Sequence, residues 1–149
     1  YTAIDEFSRF RYVEAFREIS TYSSMVFLEH MLKAFPFPVE CVQTDNGFEF
    51  TKRFGSSKSD KDLTLFEKKL AKLGIEHKKI RPFTPRHNGK VERSHRKDNE
   101  YFYATHRFYS FEDFSKQLKI HNKKYNNFPM RPLGWKSPRE TLKSFLHSA

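Results

Sequence analysis

Apolar and polar positions fall into short blocks that switch between a two-residue and a helical period. Residues 1–4 and 10–16 are rich in aromatic and β-branched side chains. The stretch Asp5-Glu6-Phe7-Ser8-Arg9 between them is turn chemistry, so an antiparallel hairpin is expected. From Tyr22 the apolar positions Met25, Val26, Leu28, Met31, Leu32 and Phe35 recur at helical spacing, with Ser20 or Thr21 as N-cap and Pro36 as a stop. Residues 39–44 read as a short strand that runs into the turn Asp45-Asn46-Gly47. Residues 51–62 are polar and read as a flexible loop. Leu63, Phe66, Leu70 and Leu73 then mark a helix that Gly74 ends, and residues 75–80 a further short strand.

The second half is predominantly helical in pattern. Residues 81–89 hold Pro82, Pro85 and Gly89 and read as a loop, followed by a helix over residues 88–105 with Val91, Asp98 and Phe102 along one side. Ser110, with Glu112 and Asp113 behind it, begins another helix that runs to Asn126 and turns Phe111, Phe114, Leu118 and Tyr125 inward. Residues 129–138 form a loop anchored by Trp135, and residues 138–146 a terminal helix. Strands alternating with helices predict an α/β architecture, a mixed sheet flanked by helices, and 149 residues suit a single domain, 1–149. The aromatics between Tyr101 and Phe111 are expected mostly in the core.

Charge changes the picture. The formal net charge is +10, and it is unevenly spread: residues 1–80 carry 13 basic and 12 acidic side chains, residues 81–149 carry 15 and 6. A basic half on a near-neutral half points to a polyanionic partner, nucleic acid ahead of an anionic membrane surface. Cys41 is the only cysteine, which excludes a disulfide framework and a Cys-rich zinc site within these residues. No apolar run approaches the roughly 20 residues of a membrane-spanning helix, so no membrane partner is expected.

Two carboxylates stand out by their settings. Asp45 ends a short apolar strand at a glycine-containing turn, where α/β sheets tend to place ligands. Glu92 lies in the first turn of a helix among Lys90, Arg93 and Arg96. A carboxylate in an electropositive patch can hold a hard divalent cation that also meets a phosphate. Taken alone, Asp45 reads as a turn former and Glu92 as a complement to the helix dipole. The run Arg81, Arg86, Lys90, Arg93, Arg96 and Lys97 suits salt-sensitive contact with a DNA backbone, while Lys116, Lys119, Lys123 and Lys124 read as the solvated side of a helix. His87, His95 and His106 lack the i, i+4 pairing of a helical zinc site.

The stretch Gln43-Thr44-Asp45-Asn46-Gly47-Phe48-Glu49-Phe50, with Arg81-Pro82-Phe83-Thr84-Pro85-Arg86-His87-Asn88-Gly89-Lys90-Val91-Glu92-Arg93, resembles the core of the DDE integrases and transposases, bacterial insertion-sequence transposases above all. Residues 2–10 are similar to the family's second strand and its turn, and Tyr125-Asn126-Asn127, Arg131-Pro132, Leu133 and Ser137-Pro138 to its C-terminal end. The resemblance implies an RNase H-like fold with three acidic ligands for two Mg²⁺ or Mn²⁺ ions, which cuts DNA with water and joins the freed 3′ hydroxyl to a target. Asp45 matches the second acid and Glu92 the third; Arg86, Asn88, Lys90, Arg93 and Arg96 are the implied DNA contacts. Arg96 and Asn99, four and seven positions after Glu92, share its helix face, but Asn99 lacks the basic charge that retroviral members carry there.

The family's first catalytic Asp lies on a strand before this hairpin, so the chain is expected to lack that strand. Asp5 then reads as a turn former, with a third metal ligand as the alternative. The resemblance further implies a homo-oligomer acting in the bacterial cytoplasm. Two other readings stay open: a non-catalytic DNA-binding remnant, and a self-association module.

Overall fold

The computed structural model describes residues 1–51, 63–81, 84 and 88–148. The chain divides into two compact units, one made of Tyr1–Ala15 with Gly89–Ala149 and the other of Phe16–Asn88. Among the described residues the strands pair in two two-stranded sheets, one antiparallel and one parallel, and helices accompany each. The α/β class holds. No helix among the described residues is long and apolar enough to cross a membrane.

In the first unit, β1 (Thr2–Ile4) and β2 (Arg11–Val13) pair antiparallel, with Ala3 opposite Tyr12. Asp5 closes the turn: its Oδ2 accepts from the Ser8 backbone N–H at 2.8 Å and from the Ser8 hydroxyl at 2.6 Å. The expected helix over residues 88–105 forms in two parts, α3 (Gly89–Asp98) and a π-helical turn, Asn99–Tyr103. The wider turn coincides with complete burial of Phe102, whose ring meets His121 at 4.7 Å and Phe108 at 5.2 Å. Val13, Phe102 and Leu118 form the core here, with Ala15, Phe108 and Phe114 against it.

α4 (Phe111–Asn126) starts at its expected cap, where the Ser110 side chain accepts from the Asp113 N–H. A 3₁₀ turn (Arg131–Leu133) leads to α5 (Pro138–Ser148). Two sequence expectations fail in this unit. Trp135 is 69% exposed; its backbone N–H donates to the carbonyl oxygen of the buried Met130, whose bridge to Lys136 closes that loop. Tyr101, Tyr103 and Tyr109 are exposed as well, although the Tyr103 ring still meets Phe102 and Phe114 at the edge of the core.

The centre of this unit is polar. Arg11 is 1% exposed, and its Nη1 donates to both carboxylate oxygens of Asp98 at 2.9 Å. Its Nε donates to Asn122 Oδ1 at 2.9 Å, and its guanidinium carbon lies 3.9 Å from the centre of the Tyr125 ring. The Nη2 of Arg11 has no hydrogen-bond partner among the described residues. Asn126 accepts from the Arg11 N–H and donates to the Arg11 carbonyl oxygen, both at 2.8 Å, as a neighbouring strand would. His121 Nε2 lies 2.7 Å from Asp98 Oδ1.

In the second unit, α1 (Thr21–Ala34) is capped by Ser20 and buries Phe27, Leu28 and Met31. α2 (Leu65–Leu73) opens with a reciprocal capping box between Thr64 and Glu67, and ends where Gly74 takes φ +68, a left-handed conformation that costs glycine little. Phe66 and Leu70 are buried on α2; Leu73, expected inward, is exposed because the helix ends beside it. β3 (Cys41–Thr44) and β4 (Glu76–Lys79) run parallel, with Thr44 opposite Lys79. Glu67 is buried and its Oε1 takes up both Thr51 Oγ1 and Lys79 Nζ at 2.9 Å.

Two outcomes follow for stability. Asp98→Ala strands the buried Arg11 charge and should cost about 3–5 kcal/mol in urea unfolding, where Thr64→Ala costs about 1 kcal/mol. Burial by itself would raise the Asp98 pKa, but hydrogen bonding from His121 and the charge of Arg11 outweigh it and hold it below the usual carboxylate range. A depressed carboxyl contributes stability that is complete above its unfolded pKa of about 4 and is lost as pH falls through the folded value. The urea midpoint should therefore drop below about pH 4, and more shallowly in Asp98→Asn.

Candidate functional site

Asp45 follows directly on β3 and is exposed. Parallel pairing carries Thr44 to the end of the strand, where its hydroxyl donates to the Asp45 carbonyl oxygen at 2.9 Å and lies 2.8 Å from His77 Nε2. The Asn46 amide donates to the Ile80 carbonyl oxygen at 3.0 Å, which ties the turn to the end of β4. Asp45 Oδ1 accepts from the Gly47 N–H at 2.9 Å, an Asx turn, and its second oxygen has no hydrogen-bond partner among the described residues. Glu49 folds back over the same turn: a Cβ added at Gly47 would lie 2.6 Å from its Oε2, so glycine leaves the room that this carboxylate occupies. In the sequence only the Gly47 two positions before it sets Glu49 apart.

Glu92 stands in the first turn of α3, exposed, without a hydrogen bond or ion pair among the described residues. The rotation of α3 follows from its buried side. Ser94 and Asp98 are buried and Val91 is half-buried, which leaves Glu92, Arg93 and Arg96 outward. Arg96 lies one turn after Glu92 on the same face. Asn88, half-buried, immediately precedes the helix, while Arg86 lies outside the described residues, as does His87. His95 is held below the usual imidazole range, mainly by burial and further by the charge of Arg11.

The basic residues do not all stand free. Lys90 donates to the Glu6 carbonyl oxygen at 2.6 Å and pairs with the Glu6 carboxylate, a contact that the sequence did not signal. Asp5 has its Oδ2 engaged within the hairpin turn, as expected of a turn former. Asp45 belongs to the second unit and Glu92 to the first. Among the described residues no three acidic, His or Cys side chains converge as a metal-binding group. The donor chemistry at Asp45 and Glu92, exposed carboxylate oxygens, nevertheless suits a hard ion such as Mg²⁺ or Mn²⁺.

These environments separate engaged from exposed carboxylates. Asp5→Ala removes the acceptor for two hydrogen bonds and should lower stability by about 1–2 kcal/mol. Asp45→Asn and Glu92→Gln, both exposed, should stay within about 0.5 kcal/mol of the parent in the same urea titration.

Residues 73–138 match the family described as the integrase core domain, a stretch that contains Arg86, Asn88, Lys90, Glu92, Arg93 and Arg96 but not Asp45. No curated protein matches the chain. Among solved structures, it is similar to the catalytic core domain of BIV integrase, at 18% identity and a TM-score of 0.68 over 99% of this chain and 86% of that one. It is similar also to a chain of the simian T-cell lymphotropic virus intasome, solved in complex with PP2A regulatory subunit B56 gamma, at 18% identity and a TM-score of 0.69. That match covers 93% of this chain and 45% of the other, so the chain spans less than half of that relative's length. The chain thus shares the fold of the integrase catalytic cores it is similar to, and its residues 73–138 match the integrase core domain family.

Proposed function

We propose that the chain is the core of a DDE-type polynucleotidyl transferase that acts on DNA in transposition or integration of a mobile element, by phosphodiester cleavage followed by strand transfer. The observation that carries this reading is the integrase-core match over the segment that sets Glu92 among outward-facing Arg93 and Arg96. Asp45 and Glu92 would hold Mg²⁺ or Mn²⁺ through their carboxylate oxygens. When bound, such ions supply stabilisation of the attacking and leaving oxygens of the phosphodiester.

The remaining work falls to the chain itself. Arg93 and Arg96 bind backbone phosphates beside Glu92, with Lys90 and Arg86 extending that contact and Asn88 donating from the helix start. Phosphate contacts position a duplex without reading its sequence, so this surface suits a target taken with little sequence preference. The likeness to an intasome chain supports DNA as the partner and self-association of the chain.

Two measurements test the reading. In a protein that also carries the family's first acid, Mn²⁺-dependent nicking of a labelled duplex should fall on the order of 100-fold or more in Asp45→Asn and in Glu92→Gln; equal nicking by parent and both variants would sink it. The affinity for duplex DNA should fall steeply with salt, and Arg96→Gln should reduce the slope of log K against log salt by about 1.

A further inference from the structure

Lys90 enters the reading above as a phosphate contact, yet in this structure its ammonium is already held. It reaches from the first turn of α3 to the turn between β1 and β2, where the Glu6 carbonyl oxygen accepts at 2.6 Å and the Glu6 carboxylate completes an ion pair. A charged oxygen beside a second, neutral acceptor is a pair that a lysine ammonium can exchange for the non-bridging oxygens of a phosphodiester. Arg93 and Arg96, on the same helix, have no ion-pair partner among the described residues.

Glu6 is not needed to shape its own turn. That turn is closed by Asp5, through Ser8, and by backbone bonds from Asp5 N–H to the Phe10 carbonyl and from Arg9 N–H to the Asp5 carbonyl. The Glu6 side chain is 74% exposed, open to displacement by a competing anion. An exposed ion pair is weak, so it can hold a lysine without locking it.

We propose that Glu6 is an intramolecular stand-in for a DNA phosphate at Lys90, an acidic latch that occupies this cation in the free protein and is displaced when a duplex is engaged. The latch rests on the DNA reading above. It makes the Lys90 contact conditional: Arg93 and Arg96 meet the backbone first, and Lys90 joins only where a phosphate competes successfully with Glu6. Its effect is a lower affinity for casual duplex contact, with the fold left unchanged.

The test is a double-mutant cycle read by fluorescence anisotropy, with a fluorescein-labelled duplex of random sequence and four proteins: the parent chain, Glu6→Gln, Lys90→Met, and both together. Glu6→Gln should tighten binding roughly threefold, in keeping with the modest worth of an exposed ion pair. That gain should largely vanish in the Lys90→Met background, because coupling between contacting residues is what the cycle isolates. No change in Glu6→Gln overturns the latch. So does an equal gain in both backgrounds, which would be the general effect of removing one negative charge. Weaker binding by Glu6→Gln together with a lower melting temperature would make the pair a structural clamp on α3 and overturn it as well. Absence of salt-dependent binding in all four proteins would instead remove the DNA reading itself, an outcome distinct from a parent chain that binds while Glu6→Gln binds no better.

Discussion

The first unit depends on burying one guanidinium group. Taking Arg11 and Asp98 out of water costs several kcal/mol per ion, and only dense hydrogen bonding offsets that. The site supplies it: two bonds to Asp98, one to Asn122, a ring face from Tyr125, and His121 on the far side of the carboxylate. These groups come from β2, α3 and α4, so none of the three elements can rotate or slide without uncovering a charge. Asn126 adds to this by satisfying the backbone N–H and carbonyl of Arg11 on the outer edge of β2, which an unpaired strand would leave open.

The consequence for function lies in the rotation of α3. Once Asp98 points inward, helical geometry puts Glu92, Arg93 and Arg96 outside, and gathers Glu92 and Arg96 on one face. A buried polar cluster specifies one orientation where an apolar stripe would tolerate several, because a slip by one residue leaves an ion without a partner rather than a methyl group slightly displaced. The π-helical turn that follows serves the same arrangement, with Phe102 buried against His121 beneath the ion pair.

The second unit solves a smaller problem, the placement of one carboxylate at a strand end. β3 and β4 have only four residues each, and their parallel pairing is supported by Glu67, which joins the α2 cap, Thr51 and Lys79 through a single buried side chain. The Thr44 hydroxyl, the Asn46 amide and the Gly47 N–H then define the turn in which Asp45 stands exposed. The carboxylates thus divide by environment: Asp5, Glu67 and Asp98 are engaged within the fold, while Asp45 and Glu92 stand exposed.

What the sequence determined by itself was local. The hairpin, the Ser20 and Ser110 caps, the Gly74 stop, the turn at Asp45 and the helix that carries Glu92 are each encoded within a few residues, where dihedral preference and period act directly. The family motifs were legible for the same reason, since each is a short run around a strand end or a helix start. Tertiary structure decided the rest. Asp98 looked like one more position on a helix side, and Arg11 carried no signal of its own, until a contact across 87 positions placed them together. Trp135 read as an anchor and stands exposed, and Lys90 read as a phosphate contact and is held by Glu6. The burial of an ion or the exposure of a ring is a property of its surroundings. Those surroundings are assembled from segments that share no local signal.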